Sequence, residues 1–143
     1  MVAEQVEIGS RIVVPAAQDE VWRAVVDWPG QHRWVLGTRV HGGHGLGATV
    51  VAWTGIGPLG FTDTMVITEW DPPRRCVVRH TGRVVRGAGA FEVTPCGTGF
   101  EFRWTERLEL PLPGPLQRLG WRAARPLAQR VMDSSLRRFA RLV

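Results

Sequence analysis

His80 and Glu106 are the side chains best placed for acid–base chemistry, because each interrupts a strand face that is otherwise apolar. Alternation along 75–81 puts Cys76, Val78 and His80 on one face and Val77, Arg79 and Thr81 on the other. Along 99–108, Phe100, Phe102, Trp104 and Leu108 share a face with Glu106, opposite Glu101, Arg103 and Arg107. Burying an unpaired polar group costs about 2 kcal/mol or more. Each of the two therefore has a structural partner or looks into a pocket. In a pocket, a histidine or carboxylate with a shifted pKa serves as a general base. Arg86, near the start of a strand, carries the charge to hold an anionic enolate or carboxylate, or else lies on the surface.

Other chemistries find little support. His41 and His44 stand three apart in a glycine-rich loop with no third ligand beside them, so no metal site is expected. That loop also lacks the strand–helix context of a phosphate cradle, and no cofactor is implied. There is no Ser/His/Asp order, nucleophile elbow or paired-carboxylate signature. Cys76 and Cys96 are twenty residues apart and belong to no CxxC or cysteine–histidine cluster; buried, reduced thiols are expected. Basic and aromatic residues do not interleave on the strands, which argues against nucleic acid.

The elements that must position these residues follow from periodicity. Residues 5–14 read as a β-branched strand ended by Pro15. Asp19 is placed to cap a short helix carrying Val21, Trp22, Val25 and Val26, and Trp28-Pro29-Gly30 ends it, with a second short helical turn over 30–36. Strands follow over 38–42, 47–54, 61–70, 75–81, 86–94 and 99–108, separated by glycine- or proline-bearing turns without a helix between them, as in an antiparallel meander. After Pro111-Leu112-Pro113-Gly114-Pro115, Leu116, Leu119, Ala123, Leu127, Val131, Ser134 or Ser135, Phe139 and Leu142 mark the apolar stripe of a long helix. Pro126 is expected to kink or break it near Ala124-Arg125.

At 143 residues the chain fits one domain, 1–143, and 44% apolar with 22% charged residues is ordinary for a globular protein. No apolar stretch reaches the length of a membrane span, and the first residues lack a signal peptide's order, so the cytoplasm is the expected compartment. All eighteen basic residues are arginine, for a net charge of +5. Seven of them lie in 118–143 against the single acid Asp133. They are expected to form the solvated face of the last helix rather than a surface for stable membrane association.

The order strand, two short helices, six strands, long helix resembles the helix-grip fold of the SRPBCC superfamily, which joins START, Bet v 1 and polyketide cyclase/dehydrase proteins. Ile12-Val13-Val14-Pro15-Ala16 followed by Asp19-Glu20-Val21-Trp22 resembles the opening strand and helix of its bacterial, polyketide-cyclase-like branch. So do Asp27-Trp28-Pro29 with Trp34, Val66 through Arg75 with its Asp71-Pro72-Pro73 turn, and Gly97-Thr98-Gly99-Phe100. The resemblance implies an α+β fold, with a curved seven-stranded antiparallel sheet wrapped around the C-terminal helix and a hollow between them for a hydrophobic small molecule.

Strand alternation then nominates the lining: Met65 and Ile67 (on the face shared by Phe61, Asp63 and Glu69), Val78, His80, Phe91, Phe102 and Trp104. Trp34, Trp53, and Leu127 and Val131 on the long helix complete it. Plain core packing is the competing role for every apolar member. Binding of a lipid-, polyketide- or aromatic-type molecule without covalent chemistry is the leading expectation. The alternatives are a polyketide aromatase/cyclase or dehydrase using His80, Glu106 and Arg86, and a partner- or membrane-surface protein acting through the arginine-rich helix. A homodimer stays open.

Overall fold

The structure, a computed structural model, describes residues 5–110 and 114–143. The Pro111-Leu112-Pro113 part of the turn before the last helix lies outside the described residues. The elements are β1 (Gln5–Val14), α1 (Gln18–Val25), a 3-10 helix (Trp28–Arg33), β2 (Thr38–Gly42), β3 (Thr49–Ile56), β4 (Leu59–Asp71), β5 (Arg75–Thr81), β6 (Arg86–Cys96), β7 (Gly99–Glu109) and α2 (Gly114–Leu142). One sheet holds all seven strands in the order β1-β7-β6-β5-β4-β3-β2. Every neighbouring pair is antiparallel, and β1 closes onto β7 from Gln5 opposite Glu109 to Val14 opposite Phe100. The antiparallel meander expected from the spacing of the turns is present, in the helix-grip arrangement that the family resemblance implied.

Several local expectations need correction. Asp19 lies inside the first turn of α1, whose N-cap is Ala17 with no side-chain cap bond. On β4 the register shifts between Ile67 and Glu69. A bulge breaks strict alternation, so Ile67 and the later Trp70 both turn inward. Ile67 is fully buried, and Trp70 meets Trp22 edge-on at 5.3 Å. Glu69, assigned to the inner face by simple alternation, is exposed and pairs with Arg75 at 3.2 Å. Cys76 is buried but Cys96 is exposed, so only one thiol is the core residue expected.

The core is centred on Trp34. Its indole meets Phe139 at 5.3 Å, Phe102 at 5.6 Å and Trp104 at 6.0 Å, all edge-on, the geometry favoured by aromatic quadrupoles. Phe102 and Phe139 close the group at 4.7 Å. Trp34, Phe102 and Phe139 have essentially no exposure.

α2 departs furthest from its sequence pattern. It runs from Gly114 to Leu142 with Pro126 inside it, unbroken. Both Pro126 and Arg122, whose carbonyl loses its helical partner, are exposed, and water can satisfy that carbonyl. The buried face is Gln117, Met132, Ser135, Leu136 and Phe139, so the core contact is concentrated in the C-terminal half. Leu116, Leu119, Leu127, Val131 and Leu142, read as the buried stripe, are exposed; Leu127 is 68% exposed. Among the described elements α2 packs chiefly on β1, the strand where the sheet begins. The contact is polar: Ser10 Oγ donates to Asp133 Oδ1 at 2.6 Å, and Gln129 Nε2 lies 2.9 Å from both Asp133 Oδ1 and the Gly9 carbonyl. The bonds from Ser10 and Gln129, with the nearby Arg137 charge, hold the Asp133 carboxyl below its ordinary pKa. The arginines of α2 face solvent as expected, Arg138 being half-buried.

Truncating Phe139 to alanine should cost about 3–5 kcal/mol, because a buried aromatic leaves a cavity its neighbours cannot refill. Leu127→Ala should stay within about 0.5 kcal/mol, as at other exposed positions. Urea unfolding of the two variants checks the contrast.

Candidate functional site

The inward sheet face divides into a filled end and a hollow end. Toward Phe102 the space is packed by Trp34 and Phe139; beyond Trp104 a cavity of about 220 Å³ opens. Its walls come from alternate residues of six strands. β2 and β3 supply Thr38, Val40, Val50, Ala52 and Thr54; β4 supplies Asp63 and Met65; β5 supplies Cys76, Val78 and His80. β6 contributes Gly89 and Phe91, and β7 Trp104 and Glu106. The remaining wall is Trp28, Gln31 and Val35, from the 3-10 helix and the residues after it.

No lining residue belongs to α2, which corrects the expectation of a pocket between sheet and long helix. The helix plugs the filled end of the hollow instead. Among the nominated residues Met65, Val78, His80, Phe91, Trp104 and Glu106 come together on this cavity. Trp34, Ile67 and Phe102 belong to the packed core behind it. Trp53 borders a separate shallow surface depression with Gly55 and Gly57. Leu127 and Val131 are exposed on α2, because the helix presents its other face to the protein. Arg86 is exposed at the start of β6, its Nε 3.6 Å from Glu109 Oε2, and does not reach the cavity.

The polar residues of the cavity form one connected group. His80 Nδ1 lies 2.9 Å from Asp63 Oδ1, and His80 Nε2 lies 2.9 Å from Glu106 Oε2. Trp104 Nε1 donates to Glu106 Oε1 at 2.9 Å. His80 is only 6% exposed. Asp63 was missed as a site residue. Its signal was the one that exposed His80 and Glu106: a charged side chain two residues before Met65 on an inward face.

A missing side chain makes this group possible. β6 lies between β5 and β7, so His80 and Glu106 are on next-but-one strands, roughly 9–10 Å apart in backbone spacing. Opposite Glu106 on β6 stands Gly89, and opposite His80 stands Gly87. A Cβ built on Gly89 would come within 2.7 Å of Glu106 Oε1 and 2.8 Å of Oε2. The Glu106 carboxylate thus lies across the bare backbone of β6 to meet His80.

Burial pulls the His80 pKa down, but the hydrogen bonds to Asp63 and Glu106 and their charges outweigh it and raise the pKa to about 9. The Cys76 thiol is pushed up to about 12 by burial, with a smaller contribution from Glu69, and stays protonated at neutral pH. Among the described residues no group of His, Cys, Asp or Glu is arranged to hold a metal ion. His44 stacks on Trp28 at 5.7 Å and pairs with the Val26 carbonyl at 2.8 Å. Trp28 Nε1 donates to the Gly43 carbonyl at 2.8 Å. The glycine-rich loop thereby fixes the wall residue Trp28.

The family model for polyketide cyclase / dehydrase and lipid transport proteins matches residues 5–143, and the chain belongs to that family. A comparison with curated proteins gives no match. Among solved structures, the Zhui aromatase/cyclase from Streptomyces sp. R1128 superposes with a TM-score of 0.76 at 16% identity, over 96% of this chain and 92% of that one. The protein TTHA0849 from Thermus thermophilus gives 0.72 at 20% identity, covering 95% of each chain. The di-domain ARO/CYC StfQ from the steffimycin biosynthetic pathway gives 0.73 at 15% identity, over 95% of this chain and 49% of that one. At these identities the likeness is one of fold.

A histidine whose pKa is raised in the folded state stabilises the fold fully below its unfolded pKa, about 6.5, and loses that contribution as pH rises through about 9. The chain has no lysine or tyrosine, and the buried Cys76 thiol, raised to about 12, adds its own loss of stability only above its unfolded pKa of about 8.5, so the His80 contribution is read below that pH. Unfolding free energy from urea melts should therefore fall between about pH 6.5 and about pH 10. His80→Gln should flatten this limb below about pH 8.5, and Gly89→Ala, by displacing the Glu106 carboxylate, should move it to lower pH.

Proposed function

We propose that this protein binds an apolar small molecule in the cavity walled by β2 to β7 and the Trp28–Val35 segment. The cavity itself carries the reading: a concave hollow with mostly apolar walls and one connected group of charged side chains is the common form of a small-molecule site. Its size supports a compact ligand. An apolar cavity of about 150 Å³ holds one benzene ring, so about 220 Å³ suits a molecule of one or two rings. Trp28, Phe91 and Trp104 supply flat surfaces for such a ring system. An environment-sensitive apolar dye is expected to bind there. Trp104→Ala should weaken it about tenfold or more, measured by fluorescence titration. Unchanged affinity in a folded variant would place the dye elsewhere.

The second reading is an aromatase/cyclase- or dehydrase-type enzyme, in line with the family and with the Zhui and StfQ folds. The Asp63–His80–Glu106 group favours it, because it holds an acid and a base side by side. In a dehydration, a carboxylate takes the proton from the carbon beside a ketone, and the imidazolium gives its proton to the departing hydroxyl, which leaves as water. His80→Ala or Glu106→Gln should then abolish turnover of a β-hydroxyketone while leaving its affinity within about tenfold, some 1.4 kcal/mol. Dehydration at the full rate in the double variant would remove both residues from catalysis.

A further inference from the structure

The site's proton count decides which ligands it favours. A neutral imidazole has one N–H and one bare nitrogen, and a carboxylate only accepts hydrogen bonds. His80 has a carboxylate oxygen at 2.9 Å from each ring nitrogen, so two protons must lie along those two contacts. One arrangement is an imidazolium between two carboxylates. The other is a neutral imidazole between one carboxylate and one carboxylic acid. Both carry a net charge of minus one, wherever the shared proton sits. No arginine lines the cavity to balance it, and the chain has no lysine.

The remaining acceptor capacity is also placed. Glu106 uses Oε1 for the Trp104 indole and Oε2 for His80. Asp63 engages His80 through Oδ1, and among the described residues its Oδ2 has no hydrogen-bond partner. The Asp63 side chain keeps 14% of its exposure and borders the cavity. The cavity therefore offers a negative charge and an open acceptor, set among the faces of Trp28, Phe91 and Trp104, which themselves attract cations.

We propose that the cavity selects a compact aromatic molecule bearing a protonated amine, with Asp63 receiving the ammonium group and the aromatic wall receiving the ring. This rests on the small-molecule reading given above and adds the charge of the ligand to it. A carboxylate or enolate in the same place would meet a net like charge, His80 being already held between Asp63 and Glu106 and no arginine lining the cavity, so anionic aromatics are disfavoured.

The test uses three matched probes on the purified protein near neutral pH: phenethylamine, 2-phenylethanol and 3-phenylpropionate, each titrated by calorimetry. The amine is expected to bind at least tenfold more tightly than the carboxylate, with the alcohol between them. Asp63→Asn should reduce amine affinity about tenfold while leaving the alcohol within about threefold, and retained alcohol binding shows that the variant is folded. Glu106→Gln, which also removes one charge, should narrow the gap between amine and carboxylate. Binding of the alcohol and the carboxylate with no preference for the amine overturns the charge selection alone. Failure of all three probes to bind overturns the small-molecule reading and the charge selection with it.

Discussion

The packing of Trp34 against Phe102 and Phe139 is the contact on which the rest of this structure depends. Those three rings join the segment after the 3-10 helix, the last strand and the last helix at one point, with contacts of 4.7 to 5.6 Å. A curled sheet has a concave face that must be covered, and interiors tolerate few voids. The aromatic group fills one end of the hollow and anchors the end of α2 there. The opposite end is lined by Trp28, Phe91 and Trp104 together with short side chains and the bare backbone of Gly89, which leave it hollow.

The polar group survives in that apolar hollow because its members satisfy one another. A buried charge is tolerable only when paired and hydrogen-bonded. His80 meets this condition with a carboxylate on each side, and Glu106 is held by both His80 and the Trp104 indole. Such a network is rigid when complete and costly when one partner is removed. Its geometry depends on Gly89, whose bare backbone lets two strands that are not neighbours share a hydrogen bond. The same glycine that shapes the cavity thus sets the protonation of the site.

α2 performs two different jobs along its length. Its C-terminal half supplies Met132, Leu136 and Phe139 to the core, while Asp133 and Gln129 fasten it to β1 through backbone and hydroxyl groups. Its N-terminal half leaves Leu116, Leu119 and Leu127 exposed among arginines and contributes nothing to the cavity wall. The cover that helix would have given over the hollow comes from Trp28, Gln31 and Val35. Hydrogen bonds from Trp28 to Gly43 and between His44 and Val26 hold that cover on the glycine-rich loop.

By itself the sequence determined the element order, the antiparallel meander and the inward faces of β5 and β7, because period-two alternation and turn residues are local signals. It also marked His80 and Glu106, since a charged residue on an apolar face stands out without any coordinates. Three things waited for the tertiary structure. The bulge after Ile67 reversed the facing of Glu69 and Trp70, and a one-residue slip leaves no mark on composition. The buried face of α2 was decided by where the helix meets β1 and the aromatic group, since apolar residues at helical spacing outnumbered the positions the core could take. The union of Asp63, His80 and Glu106 required β4 and β5 to bring Asp63 beside His80, and Glu106 on β7 to reach His80 across Gly89. Pairing between distant strands depends on register and curvature together, and neither is written in the neighbourhood of any one residue.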